Sequence, residues 1–201
     1  MKKQSSIVVP EGCKRVLLHA CCAPCSSAIV EWLLAHEIEP VIYYFNPNIY
    51  PREEYEIRKN ESKRHAESLG ITWIDDDRIA SGGQQPCGYG HEAWKEAMCG
   101  LENEPERGRR CEKCFYYRMA ATAEKAKELG IQFFATTLAS SRWKNLEQIN
   151  RAGKAAELPG VQFWAQNWRK DGLQERRNAL LKEYNFYNQL YCGCEFSKGE
   201  R

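Results

Sequence analysis

Cys21, Cys22 and Cys25 crowd a single turn, and Cys111 with Cys114 forms a Cys-x-x-Cys pair at the head of a later helical pattern. Thiolates are soft ligands suited to iron-sulfur clusters, zinc or copper(I). A helix N-terminus favours negative charge, so cysteines placed there ionise more readily, and a Cys-x-x-Cys geometry adds to the effect. Three chemistries are open to this set. Cys22/Cys25 and Cys111/Cys114 could close a tetrahedral structural zinc site. Cys22-Ala23-Pro24-Cys25, after a strand and before a helix, could be a thioredoxin-like redox pair, although too little chain precedes it for the usual βαβ unit. An iron-sulfur cluster needs four thiolates, and the adjacent Cys21-Cys22 pair leaves a fifth beyond them. Near the C-terminus, Cys192-Gly193-Cys194 is too tight for most structural disulfides but suits a strained, reducible bridge in a redox relay; further metal ligation or unreactive packing is the alternative. Cys13, Cys87 and Cys99 have no partner spacing and read as incidental.

These residues must be positioned by a chain of 201 residues, which fits one domain, residues 1–201, with one sizeable core. No stretch approaches the roughly 20 apolar residues of a membrane span, and the N-terminal segment lacks the apolar core of a signal peptide. Ten cysteines among helical patterns therefore point to the reducing cytoplasm and free thiols rather than to a secreted disulfide scaffold. The formal net charge of +2 excludes nothing, because a sum hides local patches.

Val16 to Ala20 is a short apolar run ending at the first cysteines, and Ser26 to Leu34 repeats apolar residues at helical spacing. Further strands are expected over 40–45, 71–74, 133–138 and 161–164, and helices over 53–69, 91–98, from the second cysteine pair to Leu129 with Gly130 as its cap, 145–157 and 173–184. Asp75 to Tyr89 is acidic and Gly-rich and reads as a loop or lid. Strands alternating with helices imply an α/β fold, a mostly parallel sheet with helices on both faces. Sites in such sheets form beyond the carboxyl ends of the strands, at a topological switch point. Cys21 and Cys22 follow the first strand directly, where that rule places chemistry.

Basic groups fall in two stretches. Arg107, Arg109, Arg110 and Lys113 surround the second cysteine pair, and Arg142, Trp143, Lys144, Arg169, Lys170, Arg176 and Arg177 form another supply. Phosphates call for the cations and unstacked bases for the aromatic face, so both stretches are candidate RNA contacts, though a charge run is as readily a solvated face. Tyr43, Tyr44 and Phe45 read as strand core.

Seven motifs in order carry a more specific signal: His19-Ala20-Cys21-Cys22-Ala23-Pro24-Cys25-Ser26; Phe45-Asn46-Pro47-Asn48-Ile49-Tyr50-Pro51 with Glu54-Tyr55; Gly100-Leu101-Glu102 with Glu104-Pro105-Glu106; Arg110-Cys111-Glu112-Lys113-Cys114-Phe115; Thr136-Thr137-Leu138; Lys144-Asn145; and Tyr191-Cys192-Gly193-Cys194. Together, over about residues 13–197, they resemble the cobalamin-independent epoxyqueuosine reductase family, QueH. The resemblance implies a Rossmann-like fold related to the adenine nucleotide alpha hydrolases. It implies reduction of epoxyqueuosine to queuosine in a tRNA anticodon loop, the last step of making that nucleoside, with an electron donor that the sequence does not name. It also implies a 4Fe-4S cluster on Cys21, Cys22, Cys111 and Cys114, an additional mononuclear iron helped by Cys25, and a redox-active disulfide between Cys192 and Cys194.

The chain departs from the family pattern ahead of Trp94, where Tyr89-Gly90 and His91-Glu92 stand in place of a Tyr-Asp pair. His91 or Glu92 either replaces that Asp or simply decorates the first turn of a helix. Two rivals remain. A cluster-bearing tRNA thiolation enzyme would need a Gly-rich phosphate loop after the first strand, where this chain has cysteines; Ser81-Gly82-Gly83 follows the wrong strand. A zinc-stabilised RNA-binding module would explain the cysteines and cations without redox chemistry.

Overall fold

The computed structural model describes residues 6–75 and 89–197. The expected loop after Asp75, with Ser81-Gly82-Gly83 and Cys87, falls almost wholly outside the described residues. Five strands, β1 (Arg15–His19), β2 (Glu39–Tyr44), β3 (Trp73–Asp75), β4 (Phe133–Thr136) and β5 (Gln162–Phe163), form one sheet in the order β3-β2-β1-β4-β5, every pair parallel. Val16, Leu17 and Leu18 are wholly buried in succession, as are Val41 and Tyr43 on β2. An uninterrupted buried run marks a central strand covered on both faces. The helices are α1 (Ala23–Ala35), α2 (Arg52–Ser68), α3 (His91–Ala97), α4 (Arg109–Glu128), α5 (Leu146–Ala155) and α6 (Leu173–Glu183). α1 packs on α2 and α6, and α4 packs on α5. With right-handed crossovers on either side of β1, the two groups cover opposite faces. The chain leaves β1 first toward β2 and returns to its other edge with β4, so the switch point lies between the ends of β1 and β4.

Two boundaries differ from the pattern in the sequence, each for a local reason. The fourth strand stops at Thr136 because the Thr136 hydroxyl accepts the amide N–H of Leu138 at 3.2 Å, turning residues 137–140 into a 3₁₀ turn. α1 begins at Ala23, earlier than its apolar spacing suggests, with Cys22 as N-cap and Pro24 in its first turn, where a missing N–H costs nothing.

After α6 the chain runs back over α2 as an irregular tail. Tyr184 and Phe186 set their rings edge-on against buried His65. The Tyr187 amide donates to Glu61 at 2.7 Å and its hydroxyl to Glu54 at 2.7 Å. The tail ends against the loop after β2: Tyr50 N–H donates to the Gly193 carbonyl at 2.8 Å, and Ile49 bridges Cys194. Gly193 has φ of 98°, and a Cβ there would lie 2.9 Å from Ile49, so only glycine lets the tail approach so closely.

On the other face, α5 is capped by Asn145, whose side-chain oxygen accepts the amides of Glu147 and Gln148. Gly153 faces the Phe163 ring of β5, and a Cβ at that position would come within 2.4 Å of it. Gly153→Ala is therefore expected to destabilise the fold by about 1–3 kcal/mol through overpacking, despite alanine's better helix propensity. Urea unfolding of the two proteins side by side checks this.

Candidate active site

The C-terminal ends of β1, β2 and β4 are joined by His19. Its Nδ1 lies 2.9 Å from the Thr136 hydroxyl, and its Nε2 lies 3.1 Å from the Phe45 carbonyl. A carbonyl only accepts, so Nε2 carries the proton and Nδ1 accepts from Thr136. Burial, helped by the nearby Arg118 charge, pushes the His19 pKa down to about 3, so the ring is neutral. Beyond it, Asn46 donates to the Ala20 carbonyl at 2.8 Å and accepts from Arg118, fixing the backbone that carries the first cysteines.

Cys21, Cys22 and Cys25 converge there, with their sulfurs all within 4.8 Å of one another and the Cys21–Cys22 pair at 3.7 Å. The Cys21 sulfur receives thiol protons from Cys22 and Cys25 and the Thr137 hydroxyl at 3.5 Å, which hold its pKa well below the ordinary thiol value. Burial raises Cys22, and donation to Cys21 raises Cys25 to about 12. The trio is thus one thiolate steadied by two thiols. Gln189 of the tail completes the surroundings, its amide nitrogen 3.0 Å from the Cys22 sulfur and 3.6 Å from that of Cys25.

Cys111 and Cys114 occupy the first two turns of α4, as their spacing suggests. The preceding loop is built to deliver them. Glu104 accepts the first helical amide, that of Arg109, and the Arg109 side chain as well. Arg110 donates to the carbonyls of Leu101, Glu102 and Glu104 and to the Ser197 hydroxyl. Neither cysteine joins the group of Cys21, Cys22 and Cys25. They instead line a small cavity of about 30 Å³ together with Cys192 and Cys194. Beside it opens a cleft of about 600 Å³ lined by Cys21 and Cys25. Asn48, Arg118, Trp143, Lys144 and Cys192 line both spaces, so the two cysteine groups share one wall.

The residues of that wall suit a thiolate-bound inorganic group. Asn48 Oδ1 and Arg118 Nε are buried there without a hydrogen-bond partner. The soft sulfurs are flanked by the buried guanidinium groups of Arg58 and Arg118 and by the Lys144 ammonium, which offset negative charge. Burial raises Cys111 to about 11 and raises Cys114 as well.

All nine described cysteines are free, so Cys192 and Cys194 form a dithiol. Arg58, paired with Glu54 at 2.6 Å, donates to the carbonyls of Tyr191 and Cys192 and pins this turn to α2. Opposite it, His91 bonds the Pro47 carbonyl at 2.7 Å and Glu195 at 3.1 Å, stacked among Tyr50, Tyr89 and Trp94. His91 is thus a buried clamp between the β2 loop and the tail. Glu92 is exposed on the first turn of α3.

The candidate RNA contacts divide. Arg107, Arg109 and Lys113 are exposed and Lys144 is half-buried. Arg110 is buried and committed to the loop carbonyls, so its guanidinium is removed from the surface set. Arg142 lies 4.8 Å over the half-exposed Trp143 ring at the mouth of the cleft, and Arg169 and Arg177 line its side. Arg176 is instead paired with Glu31 and Glu183. Sequence reasoning missed Arg58 and Gln189, because arginine and glutamine in polar stretches look solvated; the Glu54/Arg58 spacing of four was the one available signal for the first.

A family model described as epoxyqueuosine reductase QueH matches residues 16–200. Proteins named epoxyqueuosine reductase QueH resemble the chain closely: that of Acinetobacter baylyi is 42% identical over 98% of this chain and 86% of its own length. The Haemophilus influenzae protein is 43% identical over 96% and 76%, and that of Histophilus somni 44% identical over 94% and 74%.

Donation from Cys194 to the Cys192 sulfur lowers the Cys192 pKa to about 5 and raises that of Cys194. In metal-free reduced protein, iodoacetamide is expected to modify Cys192 ahead of Cys194. The rate should climb as pH rises through about 5 and level off above it, since the thiolate is the nucleophile. In Cys194→Ala the midpoint should move up toward the ordinary thiol range; peptide mapping across a pH series reads both.

Proposed function

Because the chain belongs to the epoxyqueuosine reductase QueH family, we propose that it reduces epoxyqueuosine to queuosine in the anticodon loop of tRNA. The observation that carries this reading is the wall shared by the two cysteine groups: seven thiols from three parts of the chain gather at the switch point of one sheet. Residues 1–201 act as one reductase domain. Free thiols suit the reducing cytoplasm, and no helix among the described residues is long and apolar enough to cross a membrane.

The reaction removes an epoxide oxygen as water and leaves an alkene, consuming two electrons and two protons. Cys21, Cys22, Cys111 and Cys114 would hold a 4Fe-4S cluster, and Cys25 would help hold an additional mononuclear iron. When bound, these supply single electrons and a Lewis acid for the departing oxygen. The protein groups do the rest. The cleft of about 600 Å³ has room for one modified nucleoside, while the stem and remaining loop stay on the rim. There Arg107, Arg109, Lys113 and Lys144 face phosphates, and the Trp143 ring offers a stacking surface. Cys192 and Cys194 pass electrons from an external donor, cycling between dithiol and disulfide with loss of two electrons and two protons. A single tetrahedral zinc would gather four sulfurs about 3.8 Å apart, given Zn–S bonds of about 2.3 Å. Cys111 and Cys114 stand outside the close trio, so the four sulfurs of such a site are not gathered at that spacing.

Anaerobically purified protein is expected to be brown, with about four or five irons per chain and absorption that bleaches on reduction. It should convert epoxyqueuosine in tRNA to queuosine, read by mass spectrometry of the nucleosides. Cys192→Ser should complete one turnover when pre-reduced and then stop. Colourless protein with one zinc and no conversion would replace this reading with the structural site, and sustained turnover by the variant would remove the relay.

Stacking of a base on an aromatic ring contributes about 1–3 kcal/mol. Trp143→Ala is therefore expected to weaken binding of an anticodon stem-loop about tenfold, leaving the iron content unchanged. Fluorescence titration at fixed salt checks it.

A further inference from the structure

We propose that Gln189 is a positioning residue for the metal centre: its side-chain amide donates N–H···S hydrogen bonds to Cys22 and Cys25 and thereby sets the reduction potential of whatever inorganic group those sulfurs hold. The inference rests on the reading that Cys22 and Cys25 are ligands, and assigns a role to a residue outside the ligand set.

The geometry is direct. Gln189 Nε2 lies 3.0 Å from the Cys22 sulfur and 3.6 Å from the Cys25 sulfur. A carboxamide presents two N–H donors on nitrogen and only lone pairs on oxygen. Two converging sulfurs, rich in lone pairs and anionic once metal is bound, require the nitrogen on their side. The opposite end agrees with that orientation, because Gln189 Oε1 is buried with no hydrogen-bond partner. An unpaired buried carbonyl costs free energy, so an amide held this way is held for what its nitrogen does.

Its place in the chain makes the contact long-range and deliberate. Gln189 comes from the tail, which is pinned on both sides: Tyr187 bonds Glu54 and Glu61 before it, and Arg58 holds the carbonyls of Tyr191 and Cys192 after it. The tail cannot swing the amide away without breaking its hydrogen bonds to the buried Glu54–Arg58 pair. Hydrogen bonds to cluster sulfurs draw electron density off them and stabilise the reduced, more negative state, raising the potential. Gln189 also lies three residues before Cys192. The segment that carries the dithiol therefore carries the group that tunes the electron acceptor.

The test is the midpoint potential of the anaerobic, iron-loaded protein, followed by electron paramagnetic resonance during a redox titration, for wild type, Gln189→Leu and Gln189→Asn. Both variants lose the donor at that distance, and the second keeps a polar amide should the first fold poorly. At the ambient potential that leaves wild type half reduced, the ratio of oxidised to reduced centre is expected to be several-fold higher in each variant, with the same iron and sulfide content. Unchanged midpoints at full iron content overturn the proposal. Cobalt(II) bound to metal-free protein separates this from failure of the cluster reading. Even if no cluster assembles, loss of the N–H donors should shift the sulfur-to-cobalt charge-transfer bands to longer wavelength, and bands identical to wild type in both variants overturn the role of Gln189 outright.

Discussion

His19 stands where three parallel strands end, and one neutral imidazole ties them together. Its two nitrogens reach Thr136 at the end of β4 and the Phe45 carbonyl just past β2, while its own backbone closes β1. A charged ring could not serve, because Nδ1 would then lose its acceptor role toward Thr136. Burial enforces neutrality by making the imidazolium costly in a site that already contains Arg118. The consequences reach outward. Thr136, engaged by His19, accepts the Leu138 amide and turns the chain, so Thr137 arrives beside the Cys21 sulfur. The switch point that parallel topology leaves open is thereby closed with hydrogen bonds and lined with sulfur.

A second constraint acts from the opposite end of the chain. The tail has almost no regular structure, so its backbone groups need side-chain partners from elsewhere. α2 provides them through Glu54, Arg58 and Glu61, and α3 adds His91 and Lys95 against Glu195. Removing a member of the Glu54–Arg58 pair would leave a buried charge, which is more costly than the pair is stabilising. Such a tail is held in one place by these polar contacts together with a few apolar anchors, Phe186 on the main core and Phe196 against Trp94. That suits a segment whose cysteines must stay close to a buried centre yet remain chemically available.

Much of the fold was legible because its signals are local. Buried parallel strands read as continuous apolar runs, and the helices between them keep their spacing, so the order of elements and the position of the first cysteines at a strand end followed directly. The convergence of Cys21, Cys22 and Cys25 in one turn was legible for the same reason, whereas the place of Cys111 and Cys114 beside Cys192 and Cys194 was not. What escaped is what tertiary structure alone decides. Arg109 and Arg110 are neighbours of the same type, yet one is exposed and the other buried among carbonyls, since a helix start turns successive residues to different sides. Arg58 looked like one more charge on a polar helix until the tail lay over it. His91 was readable either as a stand-in for an acid or as surface decoration, and it is a clamp, because its ring nitrogens reach Pro47 and Glu195 and its face stacks on Tyr50, all from segments distant in the chain.

The charge distribution explains why a net charge of +2 was uninformative. Some cations are spent inside, where Arg58 and Arg118 face sulfur, and Arg110 holds a loop. Others are cancelled at the surface, as Arg176 is by Glu31 and Glu183. The remainder concentrates around one opening. Arg142, Lys144, Arg169 and Arg177 line the same cleft as Cys21 and Cys25, and Arg107 flanks the adjoining cavity. Low-dielectric walls focus the field of such a ring into the opening it surrounds. Burial lowers the Arg169 pKa, and the charge of neighbouring Arg107 lowers it further. That arrangement is unfavourable on its own, and an anion brought to the cleft mouth relieves it. The sulfurs of Cys21 and Cys25 and the cations around them therefore belong to one cleft, so a charge drawn to its mouth is drawn toward the thiols as well.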